Sequence, residues 1–148
     1  HFDEKNPDVI QVKGGELENP PQVTAGLWPS FPTDLVSLAI VLATQGRGPC
    51  LIHDWMYELR LFALEQLSGM GADLFLCDPH RMIVNGPGEL RGRRLDTRDL
   101  RSGMALIAAA LAANGVSRVG PLGTVERGYA NLVTRLKALG AQVEVEEG

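Results

Sequence analysis

The sequence predicts an α/β (α+β) domain built from repeated helix–strand–helix–strand units. Two observations predict this fold class: apolar residues change between helical and strand-like spacing along the chain, and one series of sequence elements occurs twice in the same order. The chain has 148 residues, of which 45% are hydrophobic and 22% charged, as expected for one globular domain with its own core. Units of this kind are typical of layered α/β folds.

The repeat is carried by landmarks that recur about 65–69 residues later in the chain. Each copy begins with Asp-Leu-x-Ser at the start of an apolar helix, passes a glycine before a strand, and ends its second helix at Gly-Ala. The landmark pairs are Asp34 and Asp99, Gly48 and Gly115, and Gly71 and Gly140. We therefore predict units at residues 31–96 and 97–148, and interpret residues 1–30 as the end of a preceding unit and a connecting segment.

Four segments have the spacing of helices. The first, LVSLAIVLAT after Asp34, is apolar on all sides, as in a buried helix, and ends at Gly46. Residues 58–70 and 126–139 are amphipathic and each stops at a glycine. Residues 99–113 are rich in alanine and stop at Asn-Gly.

Short apolar runs between turn residues predict the strands. They are residues 9–13, 22–24, 50–53, 74–77, 82–84, 116–119 and 143–145. The turn DPHR joins the fourth and fifth of these runs, which predicts a hairpin. A Gly- and Arg-rich connecting segment is expected at residues 86–98.

Composition excludes several classes of protein. The formal net charge of −4 disfavours a general nucleic-acid binder, and no apolar run is long enough to span a membrane. Cys50 and Cys77 have no CxxC spacing, so we expect free thiols and a reducing, cytoplasmic compartment. The sequence contains neither a metal-ligand set nor a GxGxxG motif, and we predict no cofactor. Because it opens at His1 without Met, the chain looks like part of a longer or processed protein.

Acidic and basic residues recur at the predicted helix starts. Asp34 and Asp99 could be helix caps, which is the commoner role of Asp at this position. Arg60, Arg101 and Arg127 lie where a cation opposes the helix dipole but adds to an anion site. Surface ion pairs are the alternative for each arginine. From spacing alone, the sequence predicts an anion-binding repeat domain with one acid/base group.

Two further groups of residues are weaker candidates. His53-Asp54 could be a base with its orienting acid or a metal ligand, but a partly buried histidine is the interpretation we prefer. A run of arginines could bind phosphate, although a solvated loop is the more common role for the first three of them. They are Arg91, Arg93, Arg94, Arg98 and Arg101.

Several segments together resemble, in order, the C-terminal half of the UDP-N-acetylglucosamine 1-carboxyvinyltransferases, a branch of the enolpyruvyl transferase family. They are FPTDL at 31–35, YELR at 57–60, LSGMGAD at 67–73, TRDLR at 97–101, ERGY at 126–129 and LKALGA at 136–141. The sister branch, the 5-enolpyruvylshikimate-3-phosphate synthases, would carry Lys-Glu-x-Asp-Arg where this chain has residues 125–129. The resemblance therefore favours the UDP-sugar branch.

The resemblance implies a fold of two similar domains, each an inside-out α/β barrel of three repeated units, with the active site between them. It implies transfer of the enolpyruvyl group of phosphoenolpyruvate to the 3′-hydroxyl of UDP-N-acetylglucosamine, with release of phosphate, in cytoplasmic peptidoglycan precursor synthesis. The family's Lys-Asn pair and cysteine general acid lie in the N-terminal half, so this chain would need that domain as a partner and would be inactive alone.

The resemblance also implies roles for individual residues. Asp34 matches the acid that binds and deprotonates the sugar hydroxyl, and Met56 matches a position whose backbone contacts the UDP-sugar. Arg101 and Arg127 match arginines that clamp phosphoenolpyruvate, and Arg60 matches a cleft arginine.

The chain departs from the family pattern at Leu59, usually Asn, and at residues 102–104, usually Ala-Ser-Ala. A shikimate-pathway homologue and a non-catalytic anion-binding domain of the same fold remain as alternatives.

Overall fold

The computed structural model describes residues 12–58, 60–97 and 99–146, apart from the side chains of residues 60, 62 and 63. Short strands and helices alternate along this part of the chain. The strands are β1 (Gln22–Thr24), β2 (Gly48–His53), β3 (Asp73–Asp78), β4 (Arg81–Gly86), β5 (Arg94–Asp96) and β6 (Arg118–Gly120). The helices are α1 (Val36–Ala43), α2 (Gln66–Gly69), α3 (Leu100–Ala112), α4 (Leu122–Glu126) and α5 (Leu132–Ala138). The 3₁₀ segments Thr33–Leu35 and Arg60–Glu65 precede α1 and α2.

The described strands form a four-stranded sheet in the order β1-β2-β4-β3 and a two-stranded sheet of β5 and β6. β1 pairs with β2 in parallel, and β5 pairs with β6 in parallel. Parallel neighbours need a crossover connection, which α1 provides in the first sheet and α3 in the second. The same β-α-β arrangement thus occurs in both halves of the chain. β3 and β4 form the hairpin that the sequence predicts.

The glycine landmarks share one backbone conformation. Gly48 and Gly115 have φ values of 93° and 90°, and Gly71 and Gly140 have 102° and 91°. A side chain is strained at such angles, so each of these turns requires glycine. The equivalence of the backbone at both pairs is what a structural repeat demands.

The core lies between the helices and the inner face of the larger sheet. α1 and α3 pack against each other, and α1 also contacts β2 and β4. Ile40, Ile52, Met82 and Leu106 are fully buried in this core, and burial of each such side chain contributes about 1.5–3 kcal/mol. Alternate residues of β4 are buried, as expected for a strand with one face on a core. A smaller cluster contains Ile107, Val125 and Leu132 between α3, α4 and α5.

Some predicted elements were wrong. Of the helix expected at residues 126–139, Glu126 ends α4, residues 127–131 are turns and α5 begins at Leu132. Asn131 has a left-handed φ of 55°, which a continuous helix cannot contain. Of the helix expected at residues 58–70, the described part contains a 3₁₀ segment, Arg60–Glu65, followed by the short α2.

The strand predictions were wrong at two places. Residues 143–145 were predicted as a strand but do not form one and do not belong to either described sheet. β5 lies within the segment predicted as a connection, where only its central residue, Leu95, is buried and the alternating pattern is too short to recognise. Of the strand predicted at residues 9–13, positions 9–11 lie outside the described residues, and 12 and 13 are not in a strand.

Candidate functional site

An acid of the first unit meets an arginine of the second. Nε of Arg101 donates a hydrogen bond of 2.5 Å to Oδ1 of Asp34, although the residues are 67 positions apart in the chain. The two side chains are 44% and 59% exposed, so the pair lies at the surface and a ligand can reach it. The pKa of Arg101 is raised above its ordinary value. The larger cause is the hydrogen bond to Asp34, and the second is the negative charge of that carboxylate.

Asp34 and Asp99 have different structural roles despite their equivalent places in the repeat. Asp99 is the N-cap of α3, where its Oδ1 accepts from the backbone N–H groups of Arg101 and Ser102 at 3.0 Å each, and its Oδ2 accepts from the Ser102 hydroxyl. Asp34 is the middle residue of a 3₁₀ turn, and the N-cap of α1 is Leu35. The capping interpretation is therefore right for Asp99 and wrong for Asp34.

A buried carboxylate supports the turn that carries Asp34. Asp54 follows β2 and is 0% exposed. The hydroxyl of Thr33 lies 3.0 Å from Oδ1 and 2.8 Å from Oδ2 of Asp54, to which it donates. The backbone N–H of Met56 donates to the same Oδ1 at 3.2 Å. Asp54 thus joins the Asp34 turn to the segment that contains Met56.

The hairpin turn between β3 and β4 holds Asp54 from another side. The backbone N–H of Asp54 donates to the carbonyl oxygen of His80 at 2.8 Å, and Nδ1 of His80 lies 2.8 Å from the carbonyl oxygen of Asp54. The sequence analysis included Asp54 only as the weaker candidate pair His53-Asp54. His53 is partly buried, as we preferred to interpret it. An acid that directly follows an apolar strand was the available signal for Asp54.

Tyr57 lies near Arg101, and Met56 is connected through Asp54 to the turn that carries Asp34. Met56 is partly buried, and its N–H is bound to Asp54. Tyr57 is 48% exposed and contributes, less than Asp34 does, to the raised pKa of Arg101. Of the predicted site residues, the described structure therefore brings Asp34 and Arg101 into contact and connects Met56 to the Asp34 turn through Asp54.

The positions of the other two predicted arginines differ from expectation at Arg127 and are described only in part at Arg60. Arg101 is the second residue of α3, as expected, but Arg127 follows the C-terminal end of α4 rather than a helix start. This correction follows from the division of the last predicted helix. Arg127 is exposed and makes no ion pair among the residues that the structure describes. Arg60 begins a 3₁₀ segment, and its side chain lies outside the described part of the structure.

The weaker candidates give no second centre in residues 12–58, 60–97 and 99–146. No group of three or more His, Cys, Asp or Glu side chains there could hold a metal ion. The arginines at 91, 93 and 94 are exposed, in agreement with a solvated surface. Over the same residues, no helix combines the length and the apolar character that crossing a membrane requires.

The chain is similar in sequence to several known proteins that share one name. The chain is 46% identical over 127 residues to the UDP-N-acetylglucosamine 1-carboxyvinyltransferase of Treponema denticola. It is 47% identical over 123 residues to the enzyme of that name from Treponema pallidum, and 41% over 143 residues to that from Borreliella burgdorferi. These matches include 83–95% of this chain but 29–33% of the relatives' length. No protein-family model matches the chain.

Solved structures agree with the sequence relatives. The enolpyruvyl transferase NikO from Streptomyces tendae superimposes with a TM-score of 0.77 at 27% identity, over 86% of this chain and 29% of that one. This chain is a relative of the enolpyruvyl transferases. An EPSP synthase from Acinetobacter baumannii superimposes with a TM-score of 0.54 at 17% identity over 77% of this chain and 27% of that chain, which shows the same type of fold.

One departure from the enolpyruvyl transferase pattern has a structural reason. Gly103 stands on the buried side of α3, where an added Cβ would lie 2.6 Å from Cγ2 of Val125 in α4. Glycine therefore allows the close approach of α3 and α4. Leu59, the other notable departure, lies outside the described residues.

Proposed function

We propose that this chain supplies the C-terminal part of the active-site cleft of a UDP-N-acetylglucosamine 1-carboxyvinyltransferase. The reaction would move the enolpyruvyl group of phosphoenolpyruvate to the 3′-hydroxyl of UDP-N-acetylglucosamine and release phosphate. The observation that carries the proposal is the contact between Asp34 and Arg101, one from each unit of the repeat, at an exposed position. The 41–47% identity to enzymes named for this reaction supports the choice of substrates.

Asp34 is the proposed acid/base group. The sugar hydroxyl must lose its proton as it attacks, and a carboxylate within hydrogen-bond reach can accept that proton. Asp34 is not the N-cap of α1, and its side chain is 59% exposed, so a ligand can reach it as this chemistry requires. Met56, in the adjoining segment, is the proposed backbone contact to the UDP-sugar.

Arg101 is the proposed clamp on phosphoenolpyruvate, with Arg60 and Arg127 as further cations. Arginine binds carboxylate and phosphate groups through paired, charge-assisted hydrogen bonds. In this structure the guanidinium of Arg101 is hydrogen-bonded to the carboxylate of Asp34. We propose that the anionic groups of phosphoenolpyruvate compete for Arg101 and leave the Asp34 carboxylate to the sugar hydroxyl.

The proposed domain is an inside-out α/β barrel of three units. Leu42 on α1 and Leu111 on α3 are exposed by 59% and 43%, although their helices form the centre of the fold. Leu38, about one helical turn from Leu42, and Met104, about two turns from Leu111, are partly exposed as well. A third helix from a preceding unit, of which residues 1–30 would be the end, would cover this apolar surface.

The missing groups of the active site would come from an N-terminal domain. We therefore expect no transfer activity from this chain alone. The free cysteines Cys50 and Cys77 suit a cytoplasmic location, since reducing compartments keep thiols unpaired.

The replacement Asp34→Asn in the complete enzyme tests the proposal. Asn can bind the sugar hydroxyl but cannot accept its proton, so kcat should fall by about 10²–10⁴ while UDP-sugar binding is better preserved. Asp99→Asn is a matched control, because Asn caps a helix about as well as Asp. A kcat within about threefold of wild type for Asp34→Asn would contradict the catalytic role of Asp34 and leave this domain an anion-binding role only.

A further inference from the structure

We propose that Asp54 is a positioning residue, which acts through Thr33 to hold the Asp34 carboxylate where the reaction needs it. The proposal rests on the proposed function of Asp34 and adds to it a buried group outside the substrate's reach. Asp54 is 0% exposed, so it cannot itself contact a ligand in this arrangement.

The burial of Asp54 requires an explanation. A carboxylate inside a protein is costly unless hydrogen bonds satisfy its oxygens. Here the bonds come from Thr33 and Met56, which belong to the two segments that carry the proposed sugar contacts. These hydrogen bonds therefore connect the Thr33 turn to the segment that contains Met56.

The Asp34 turn needs such an anchor. It is a 3₁₀ turn of three residues with no side-chain cap, and none of its residues is fully buried. Packing therefore contributes little to the direction of the Asp34 side chain. The Thr33 hydroxyl, on the residue before Asp34, is held by both oxygens of Asp54 at 3.0 and 2.8 Å. Since Asp54 is itself bound to His80 in the hairpin turn, the anchor reaches the sheet.

The effect on catalysis should be large because reacting groups tolerate little displacement. A misplacement of about 1 Å can reduce a rate about 10²-fold. Removal of the Thr33 hydroxyl would release the turn without changing any group that touches substrate. The loss should therefore appear in kcat and leave the KM for phosphoenolpyruvate nearly unchanged.

The test compares Thr33→Val with Thr33→Ser in the complete enzyme. Val keeps the shape of Thr and removes the hydroxyl, whereas Ser keeps the hydroxyl. We expect Thr33→Val to lower kcat about 10- to 100-fold and Thr33→Ser to retain most of it. Thr33 is only partly buried, so both variants should fold, and Thr33→Ala is the second hydroxyl-free variant. The free energy of unfolding of each variant, measured in urea, shows whether a lower kcat reflects an unfolded protein or a displaced Asp34 carboxylate.

A double replacement distinguishes positioning from a general structural role. If Thr33 acts through Asp34, adding Thr33→Val to Asp34→Asn should change kcat by less than about twofold, since effects within one functional unit are not additive. Equal losses in both backgrounds would overturn the proposal. So would a kcat within about twofold of wild type for Thr33→Val, or failure of both hydroxyl-free variants to fold. An unchanged kcat for Asp34→Asn would instead refute the proposed function.

Discussion

Replacement of the two equivalent aspartates by alanine should have unequal effects on stability. Asp99→Ala removes the acceptor for two backbone N–H groups and for the Ser102 hydroxyl at the start of α3. Loss of such a cap costs about 0.5–2 kcal/mol, and the additional hydroxyl contact favours the upper half of that range. Asp34→Ala removes an ion pair whose side chains are 59% and 44% exposed. Exposed pairs contribute about 0–1 kcal/mol.

The comparison can be made on this chain by urea or thermal unfolding. For a chain of this length, 1 kcal/mol corresponds to about 2–4 °C in Tm. Asp99→Ala should therefore lower the Tm by about 2–8 °C, and Asp34→Ala by less than about 4 °C. Asp99→Asn should recover most of the loss, because Asn is an equally good cap.

Salt provides an independent check on the Asp34 effect. The Debye length falls from about 10 Å at 0.1 M to about 3 Å at 1 M, so salt should weaken an exposed pair. The difference between wild type and Asp34→Ala should shrink at high salt. Two results would refute the conclusion that Asp34 forms an ion pair and Asp99 caps a helix. One is an equal decrease in Tm for Asp34→Ala and Asp99→Ala, and the other is a decrease for Asp99→Asn as large as that for Asp99→Ala.

Three further predictions concern single residues. Ser37→Ala should raise the free energy of unfolding by about 1 kcal/mol in urea titrations, because the buried Ser37 hydroxyl has no hydrogen-bond partner among the described residues. Iodoacetamide at neutral pH should modify Cys77, which is exposed, and spare Cys50, whose thiol is buried and has its pKa raised by burial, as mass spectrometry of the peptides can establish. In the complete enzyme, Arg101→Ala should raise the KM for phosphoenolpyruvate about 10- to 100-fold with a smaller change for the UDP-sugar; an unchanged KM would make Arg101 a surface partner of Asp34.

The sequence predicted the features that depend on local chemistry. The glycine pairs Gly48/Gly115 and Gly71/Gly140 need a left-handed backbone, which few other residues adopt, so they were recognisable without a structure. The hairpin was predictable because polar turn residues separate two alternating apolar runs.

Features that depend on tertiary contacts were less accessible. Asp34 and Asp99 occupy the same place in the repeat, and only the fold distinguishes a pair from a cap. The break between α4 and α5 covers residues 127–131 and includes an asparagine with a positive φ, which amphipathic spacing cannot reveal. The acid at the end of an apolar strand marks Asp54 as a candidate, but its contacts with residues 21 and 26 positions away could be seen only in the fold.

The close approach of α3 and α4 predicts an unusual response to Gly103→Ala. In most helix interiors this change stabilises by about 0.5–1 kcal/mol, because glycine is the more flexible residue. Here the new methyl group would lie 2.6 Å from Cγ2 of Val125 and 3.2 Å from Cβ of Thr97. Val125 is fully buried and β-branched in a helix, so it has few alternative rotamers. Overpacking of this kind costs about 1–3 kcal/mol, so Gly103→Ala should destabilise the protein on balance.

The added change Val125→Ala removes the clashing methyl groups, so Gly103→Ala should cost less stability in that background than in wild type. Urea unfolding of the wild type, the two single variants and the double variant measures the difference. Additive losses, or a Gly103→Ala variant at least as stable as wild type, would show that α4 can move aside and that glycine is not what sets its distance from α3.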